Sequence, residues 1–413
     1  MNRVVSRSNE LHGMLGKGAG TIAPEEVQHS LSRVQRWVEQ EGYRGYEPFD
    51  GLSSWLRPLA CDNLFAERLL QQLIRQFPLN LRPILGVGPK DSTKGRGYMA
   101  SGYVMVHRVT KQQEYLDKAI ACLEWLDKHK VARFRHHSWS NHFDFASRTG
   151  RYTKDDPIIV WTALIGHAYL EAFEVVGSDW LLRVADSVCN WILELPRERT
   201  NTGDCISYLA DRQISIHNAN MLGAGILART AKRTGSEECR RVARSAMEYS
   251  CSRQRPDGSW WYGESPSNLW IDNFHTGYNL DGLKHFMDSI GDDSFRQYFE
   301  NGLAFYKANF FEPNGRPKYY YTRTYPVDIQ CAAQAIDTLA FVSDHDPESL
   351  ELAKRVAAWT IRNMQDKKGY FYYRQYPIMK AKTPMLHWGQ GTMFKALAHL
   401  WLRLESTKQS LAV

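Results

Sequence analysis

A unit of about 57 residues repeats along this chain, and it limits the possible folds more than any other feature. Four turn-and-aromatic segments, "NTGDCISY", "PDGSWWY", "PNGRPKYYY" and "KKGYFYY", carry Gly203, Gly258, Gly315 and Gly369, spaced by 55, 57 and 54 residues. Each leads into a stretch rich in small and apolar residues: "HNANMLGAGILART", "HTGYNLDGLKHF", "IQCAAQAIDTLAFV" and "WGQGTMFKALAHLWL". An earlier copy reads "PIIVWTALIGHAYLEAF". Set in register, the five copies align Leu170, Leu227, Leu283, Leu339 and Leu397, at separations of 57, 56, 56 and 58 residues.

A second, more charged set lies between these stretches, for example "SEECRRVARSAMEYSCSRQ" and "PESLELAKRVAAWTIRNMQ". Apolar residues recur there at i, i+3, i+4 and i+7 with charges between, which marks helices buried on one side. The first set is apolar nearly all round and rich in Gly and Ala, as fully buried helices are. The unit is therefore an outer helix, a Gly turn, an aromatic loop and an inner helix. Residues 97–109 and 113–129 read as a further inner and outer pair, and 25–42 and 63–77 supply more helix. One hairpin cannot bury its apolar face alone, so neighbours must stack. About six hairpins closing on themselves give an all-α (α/α)6 toroid, with an open solenoid as the alternative. The expected division is a lead-in over 1–22, one toroid domain over 23–405 and a tail over 406–413.

Composition narrows the function classes. The formal charge of +7 is scattered, with no basic run of the kind that binds nucleic acid, so no nucleic-acid partner is expected. Seven cysteines, an odd number without a CxxC pair, fit reduced thiols rather than a disulfide frame or zinc cage. No signal peptide and no membrane-spanning window are read, which makes the cytoplasm the expected location. The stretch "GVGPKDSTKGRGY" lacks the order of a phosphate loop. It reads as a flexible loop over the mouth, with Lys90 and Lys94 available to an anionic ligand. No cofactor is expected.

The stretches "GYRGYEPFDGLSS", "HSWSNHFDFASRTGRY", "ISYLADRQISIHNANMLGAGILAR" and "SWWYGESPSNLWIDNFHTGYNLDGL" carry a resemblance. The chain resembles the six-hairpin glycosidase superfamily and, within it, the VpsJ-type polysaccharide-biosynthesis family, over roughly residues 40–400. The resemblance implies the toroid and a role in making or modifying an extracellular polysaccharide, with possible association with polysaccharide-synthesis proteins. It transfers no catalytic residue.

In a ring every inner helix starts at the same end, so the loops before the inner helices converge on one mouth. Those loops supply the candidate site. "WIDNFHTGYN" offers Asp272, His275 and Tyr278 for acid/base work and Asn279 for binding; Asp272 is also a natural N-cap. "IHNAN" offers His217 as a further catalytic residue and Asn218 and Asn220 for binding, near a positive helix terminus. "SWWYGE" offers Trp261 for sugar stacking and Glu264, whose aromatic neighbours are expected to raise its pKa and make it a general acid. Trp139, Asp144, Arg323, Asp328 and Trp388 complete the binding set. A metal at the His-rich 136–142 segment lacks a supporting ligand pattern, so no metal is expected.

These residues fit hydrolysis, which needs two carboxylates about 6.5–9.5 Å apart in an inverting enzyme. They also fit lyase or epimerase chemistry on a uronate. The ligand is an oligosaccharide or polysaccharide, with an anionic one compatible with the charge. A non-catalytic glycan-binding or assembly subunit is the alternative. The reading further places His217, His275, Asp328 and Trp388 at the starts of four inner helices, facing one shared cleft.

Overall fold

In the computed structural model, which describes residues 21–148 and 150–411, the chain is 60% helical with 13 α-helices among the described residues. In chain order these are α1 (Pro24–Gln40), α2 (Leu64–Gln76), α3 (Thr93–Thr110), α4 (Gln113–Lys128), α5 (Ile159–Val176), α6 (Asp179–Leu193) and α7 (His217–Thr234). They continue as α8 (Glu237–Cys251), α9 (Asn273–Ile290), α10 (Arg296–Asn309), α11 (Ile329–Phe341), α12 (Pro347–Met364) and α13 (Thr392–Leu411). The strands are two to four residues long and sit in the loops before inner helices.

The odd-numbered helices from α3 to α13 form the inner ring: each packs on the next, and α13 packs back on α3. The register leucines Leu170, Leu227, Leu283, Leu339 and Leu397 are all buried. Helices α4, α6, α8, α10 and α12 lie outside, each against the inner helix before it. The sixth outer helix is α1, which packs on α13. The last hairpin is thus made from the two ends of the chain, which closes the toroid.

The turn glycines make the same contact in four successive repeats. At φ 106°, in the left-handed region that favours glycine, Gly369 follows α12 and lies against the backbone of Arg33 in α1. Gly203, Gly258 and Gly315 lie in the same way against Ser245, Asn301 and Arg355 of the next outer helix. A Cβ at any of the four would run into that backbone. The repeat in the sequence therefore records how one hairpin seats on its neighbour, and Gly369 shows that the seating carries across the closure.

Three expectations are corrected. Helix α2 is not a ring helix; it packs on the short turns at Asp50–Ser53 and Arg57–Ala60 and on strand Phe145–Ser147. Helix α13 runs through the expected tail to Leu411. Lys94 is not in a flexible loop but in the first turn of α3, after an N-cap in which Ser92 Oγ accepts from Gly95 N at 3.2 Å. The lead-in over 1–20 lies outside the described residues. Helix α5 is long and apolar enough to cross a membrane, but 67% of its window is buried in the ring. All seven cysteines are unbridged.

Candidate functional site

The loops before the inner helices gather at one end of the ring, and a recess opens there between α7 and α9. It is lined by Asn218, Trp260, Trp261, Tyr262, Trp270, Asp272, His275, Thr276 and Asn279. Asp272 builds its centre. As N-cap of α9 it accepts from His275 N through Oδ1 at 3.0 Å. Its other oxygen lies 2.7 Å from His275 Nδ1 and accepts from Trp270 Nε1 at 3.0 Å. The Asp272 carboxylate thereby fixes the His275 tautomer: Nδ1 carries the proton and Nε2 is left as the basic nitrogen. The ring lies against Tyr262, centroids 4.5 Å apart, and Phe274, 3.9 Å apart, and is 20% exposed.

Two amide oxygens in this wall, Asn218 Oδ1 and Asn279 Oδ1, are buried without a hydrogen-bond partner, as is Gln330 Oε1 nearer the axis. A buried acceptor left unsatisfied costs about 1–3 kcal/mol, and several together call for a donor from outside the chain. The free volume of the recess is about 10 Å³, room for about one water. A sugar ring does not fit in that volume.

Across the axis a second group of titratable side chains is buried. The ammonium of Lys94 lies 5.7 Å from the Tyr98 ring and 5.9 Å from the Trp161 ring, and makes no ion pair among the described residues. Burial, opposed by the charge of Glu47, pushes its pKa down to about 7. His387 Nδ1 lies 2.7 Å from Glu47 Oε2, off the line of a good hydrogen bond, and His387 N donates to Oε1 at 2.9 Å. Burial works to raise the Glu47 pKa, but His387 outweighs it and keeps the carboxylate ionised. Burial also lowers His387, and pushes nearby His142 down to about 4. The two groups meet through Tyr98 and Tyr278, whose hydroxyls are 2.9 Å apart.

The remaining sequence candidates divide by what holds them. His217 is buried, with Nδ1 3.1 Å from Ser250 Oγ and Nε2 2.6 Å from Glu264 Oε1, so both nitrogens are occupied. It ties α7 to α8 and the loop. The raised pKa expected of Glu264 is corrected: the hydrogen bond from His217 outweighs burial, and the pKa is lowered. Tyr278 is also corrected as a free base. Its buried hydroxyl meets Tyr98 and accepts from Gln330 Nε2 at 3.0 Å, and burial raises its pKa. Trp139 is wholly buried and donates to Leu126 O at 2.9 Å, so it cannot stack on a sugar. Asn220 spends its amide on Ile206 N, Ala246 O and Ser250 Oγ, which makes it structural.

Asp328 caps α11, and its buried carboxylate receives Arg374 Nε at 2.5 Å and Trp388 Nε1 at 2.7 Å. Trp388 is in turn packed against Phe49 and Phe274 in the π-helical turn before α13. His217, His275, Asp328 and Trp388 do start neighbouring inner helices, but only His275 among them lines the recess. Asp144 pairs with Arg57 at 2.7 Å, and Arg323 is exposed over the Tyr320 ring. Trp261 lines the recess and stacks under Arg255 at 4.1 Å. In the His-rich segment, His137 is tied to Asp127 and Ser187, and no group of three metal-liganding side chains gathers among the described residues.

A larger cavity, about 280 Å³, lies at the opposite end of the ring, lined by residues of all six inner helices, among them Arg108, Glu174, Arg229, His285, Asp337 and His399. Its charges largely answer one another: Asp337 pairs with Lys395 at 2.6 Å and His399 at 2.8 Å, and Glu174 gathers Arg108, Arg229 and Arg233. We place the site at the mouth despite its smaller volume. There the histidine is oriented and solvent-facing and aromatic rings form the walls; unpartnered acceptors occur at both ends, since Glu171 Oε2 and Asp281 Oδ1 line the larger cavity.

Sequence reasoning missed Glu47, Lys94 and His387 as a group. They are 47 and 293 residues apart; His387 holds the register position of His217, ten residues before its leucine, whereas Glu47 lies outside the repeat. The signal for Lys94 was the Ser92 cap, which places it in a helix.

No protein-family model matches the sequence, and no curated protein matches it. Solved structures do share the fold. A polysaccharide lyase superposes with TM-score 0.61 at 11% identity, over 93% of this chain and 98% of that one. A GH76 α-mannanase from Bacteroides thetaiotaomicron gives 0.59 at 12%, over 78% and 88%. A cellobiose 2-epimerase from Bacillus thermoamylovorans gives 0.56 at 11%, over 75% and 87%. The chain has the (α/α)6 toroid fold of these proteins.

Proposed function

We propose that the protein is a carbohydrate-active enzyme that binds a glycan or lipid-linked oligosaccharide at the mouth and moves a proton at a sugar carbon, as a lyase or epimerase of a uronate does. The observation that carries this reading is His275, oriented by Asp272 with Nε2 free, beside the unpartnered acceptors of Asn218 and Asn279. Sugar hydroxyls are donors that would satisfy those amides. His275 Nε2 would take the proton from a carbon next to a carboxyl or carbonyl group. Lys94 is buried against the Tyr98 ring, behind the mouth rather than in its lining, and reaches it only through the Tyr98–Tyr278 hydroxyl pair.

Hydrolysis fits less well because the carboxylates it would use are committed. Glu264 holds His217, Asp272 holds His275 and Trp270, Asp144 holds Arg57, and Asp328 holds Arg374. The solved structures that share the fold include a lyase, an epimerase and hydrolases by name, and so support carbohydrate chemistry without choosing among them. The setting we assign, extracellular or capsular polysaccharide biosynthesis from the cytoplasmic side, rests on the VpsJ-type stretches of the sequence. The test is a panel of neutral and uronate-containing oligosaccharides incubated with the protein and followed by mass spectrometry. Elimination leaves products whose masses sum to the parent, epimerisation leaves the mass unchanged with altered chromatography, and hydrolysis adds one water. Products that always carry the added water would overturn the proposal.

A further inference from the structure

Helix α2 is inside out for a helix in water. Its buried face is polar apart from Ile74: Gln71 exchanges two hydrogen bonds of 3.0 Å with the backbone of Ala146, Arg75 donates to Tyr373 Oη at 2.7 Å, and Glu67 receives Arg151. Its outward face carries Phe65, Leu69 and Leu73, four residues apart, so they form one stripe. Trp55 and Ile84, tied by a hydrogen bond from the indole to Ile84 O at 3.2 Å, extend it. Of the 12 exposed large apolar side chains among the described residues, eight lie within 55–84. Two more, at 378–379, sit on the hairpin whose Tyr376 hydroxyl reaches Gln76 at the end of α2. Monomeric proteins rarely leave such a patch in water without an occupant.

We infer that this face docks on the surface of an anionic lipid bilayer. Charge chooses that occupant. Arg57, Arg68 and Lys90 reach the surface of residues 55–90 against Asp62, while Arg75, Arg82 and Glu67 are buried. A two-fold pairing with a second copy would bring the same cationic segment face to face, whereas anionic headgroups complement it. The side chains also protrude unevenly, from Phe77 at 44% exposed to Ile378 at 92%. A bilayer interface accepts such relief without a matching surface, and an interfacial amphipathic helix needs apolar residues on one face with cations beside them. The face adjoins the mouth, since α2 packs on the strand Phe145–Ser147 and on Arg374 through Gln76.

The experiment is co-sedimentation of the full chain with vesicles of phosphatidylcholine alone and of phosphatidylcholine with added phosphatidylglycerol, at low and high salt. Binding is expected on the anionic vesicles, weakening with salt. Leu69→Ser with Leu73→Ser should abolish it, and Arg68→Glu, a change of two charges, should weaken it by about 25-fold, given about fivefold per charge near the surface. These side chains point outward, so the melting temperature should hold; if the serine pair misfolds, Arg68→Glu decides the question. Three results would overturn the inference: no sedimentation with anionic vesicles, binding that survives both sets of substitutions, or a concentration-dependent dimer that the serine pair abolishes.

Discussion

His217 and His275 begin adjacent inner helices, yet the structure gives them opposite fates on truncation. His217→Ala removes two bonds inside a buried network, leaving Ser250 Oγ with Asn220 and Glu264 with Arg253. At about 1 kcal/mol net for each lost bond, with the cavity left by the buried ring adding about 1–2 kcal/mol, the loss comes to about 3–4 kcal/mol. For a chain of 413 residues, unfolding entropy scales so that each kcal/mol moves the melting temperature by only about 1 °C. The expected fall is therefore about 3–4 °C. His275→Ala leaves the Asp272 carboxylate with Trp270 Nε1 and the backbone of residue 275, and the ring it removes is partly open to the recess. Its fall should stay near 1 °C, while turnover drops by about 10²–10⁴-fold, the usual share of a general acid or base. Differential scanning calorimetry and a product assay on both variants provide the comparison. The reasoning is refuted if His217→Ala melts like the wild type, or if His275→Ala loses stability heavily and keeps its turnover.

Three further outcomes follow from the same geometry. Lys94 has a folded pKa near 7, below its unfolded value, so the unfolded state holds the extra proton between about pH 7 and 10.4 and stability rises with pH across that window. Lys94→Met should therefore be the more stable protein at pH 6, with its advantage shrinking by about 1.4 kcal/mol per pH unit above 7, read by denaturant melts across pH. Gly369→Ala should cost about 2–4 kcal/mol because its Cβ meets the Arg33 backbone, while Gly177→Ala, at φ 70° with nothing within 4 Å, should cost about 1 kcal/mol. Urea melts measure both, and equal costs would remove the seating argument. Asp328→Ala should cost about 3–5 kcal/mol, the penalty of stranding buried Arg374; a variant that keeps its stability and loses only glycan affinity would return Asp328 to the binding set.

The ring was legible because its cause is periodic. Gly203, Gly258, Gly315 and Gly369 each seat a hairpin on the next outer helix, and the register leucines each fill the same place in the core. The partner of α13 was not legible, since α1 meets it only through closure of the ring. Site residues were legible by position but not by role. Sequence places Glu264 among aromatics, which predicts a raised pKa; the neighbour that reverses the sign, His217, is 47 residues away. Trp139 and Asp328 read as site groups because they are polar or aromatic in loops, and only their partners, Leu126 O and Arg374, show them to be struts. The polar, buried face of α2 likewise depends on Tyr373 and Ala146, far off in the chain.

The central claim, that His275 moves a proton at a sugar carbon in the mouth, is tested most directly by solvent exchange. The protein is incubated in deuterium oxide with the oligosaccharide it turns over, and ring carbon–hydrogen positions are followed by proton NMR. The account predicts that one ring proton is lost or replaced by deuterium with the wild type and retained with His275→Ala. Turnover that leaves every ring proton in place, or exchange that proceeds unchanged in His275→Ala, would contradict it.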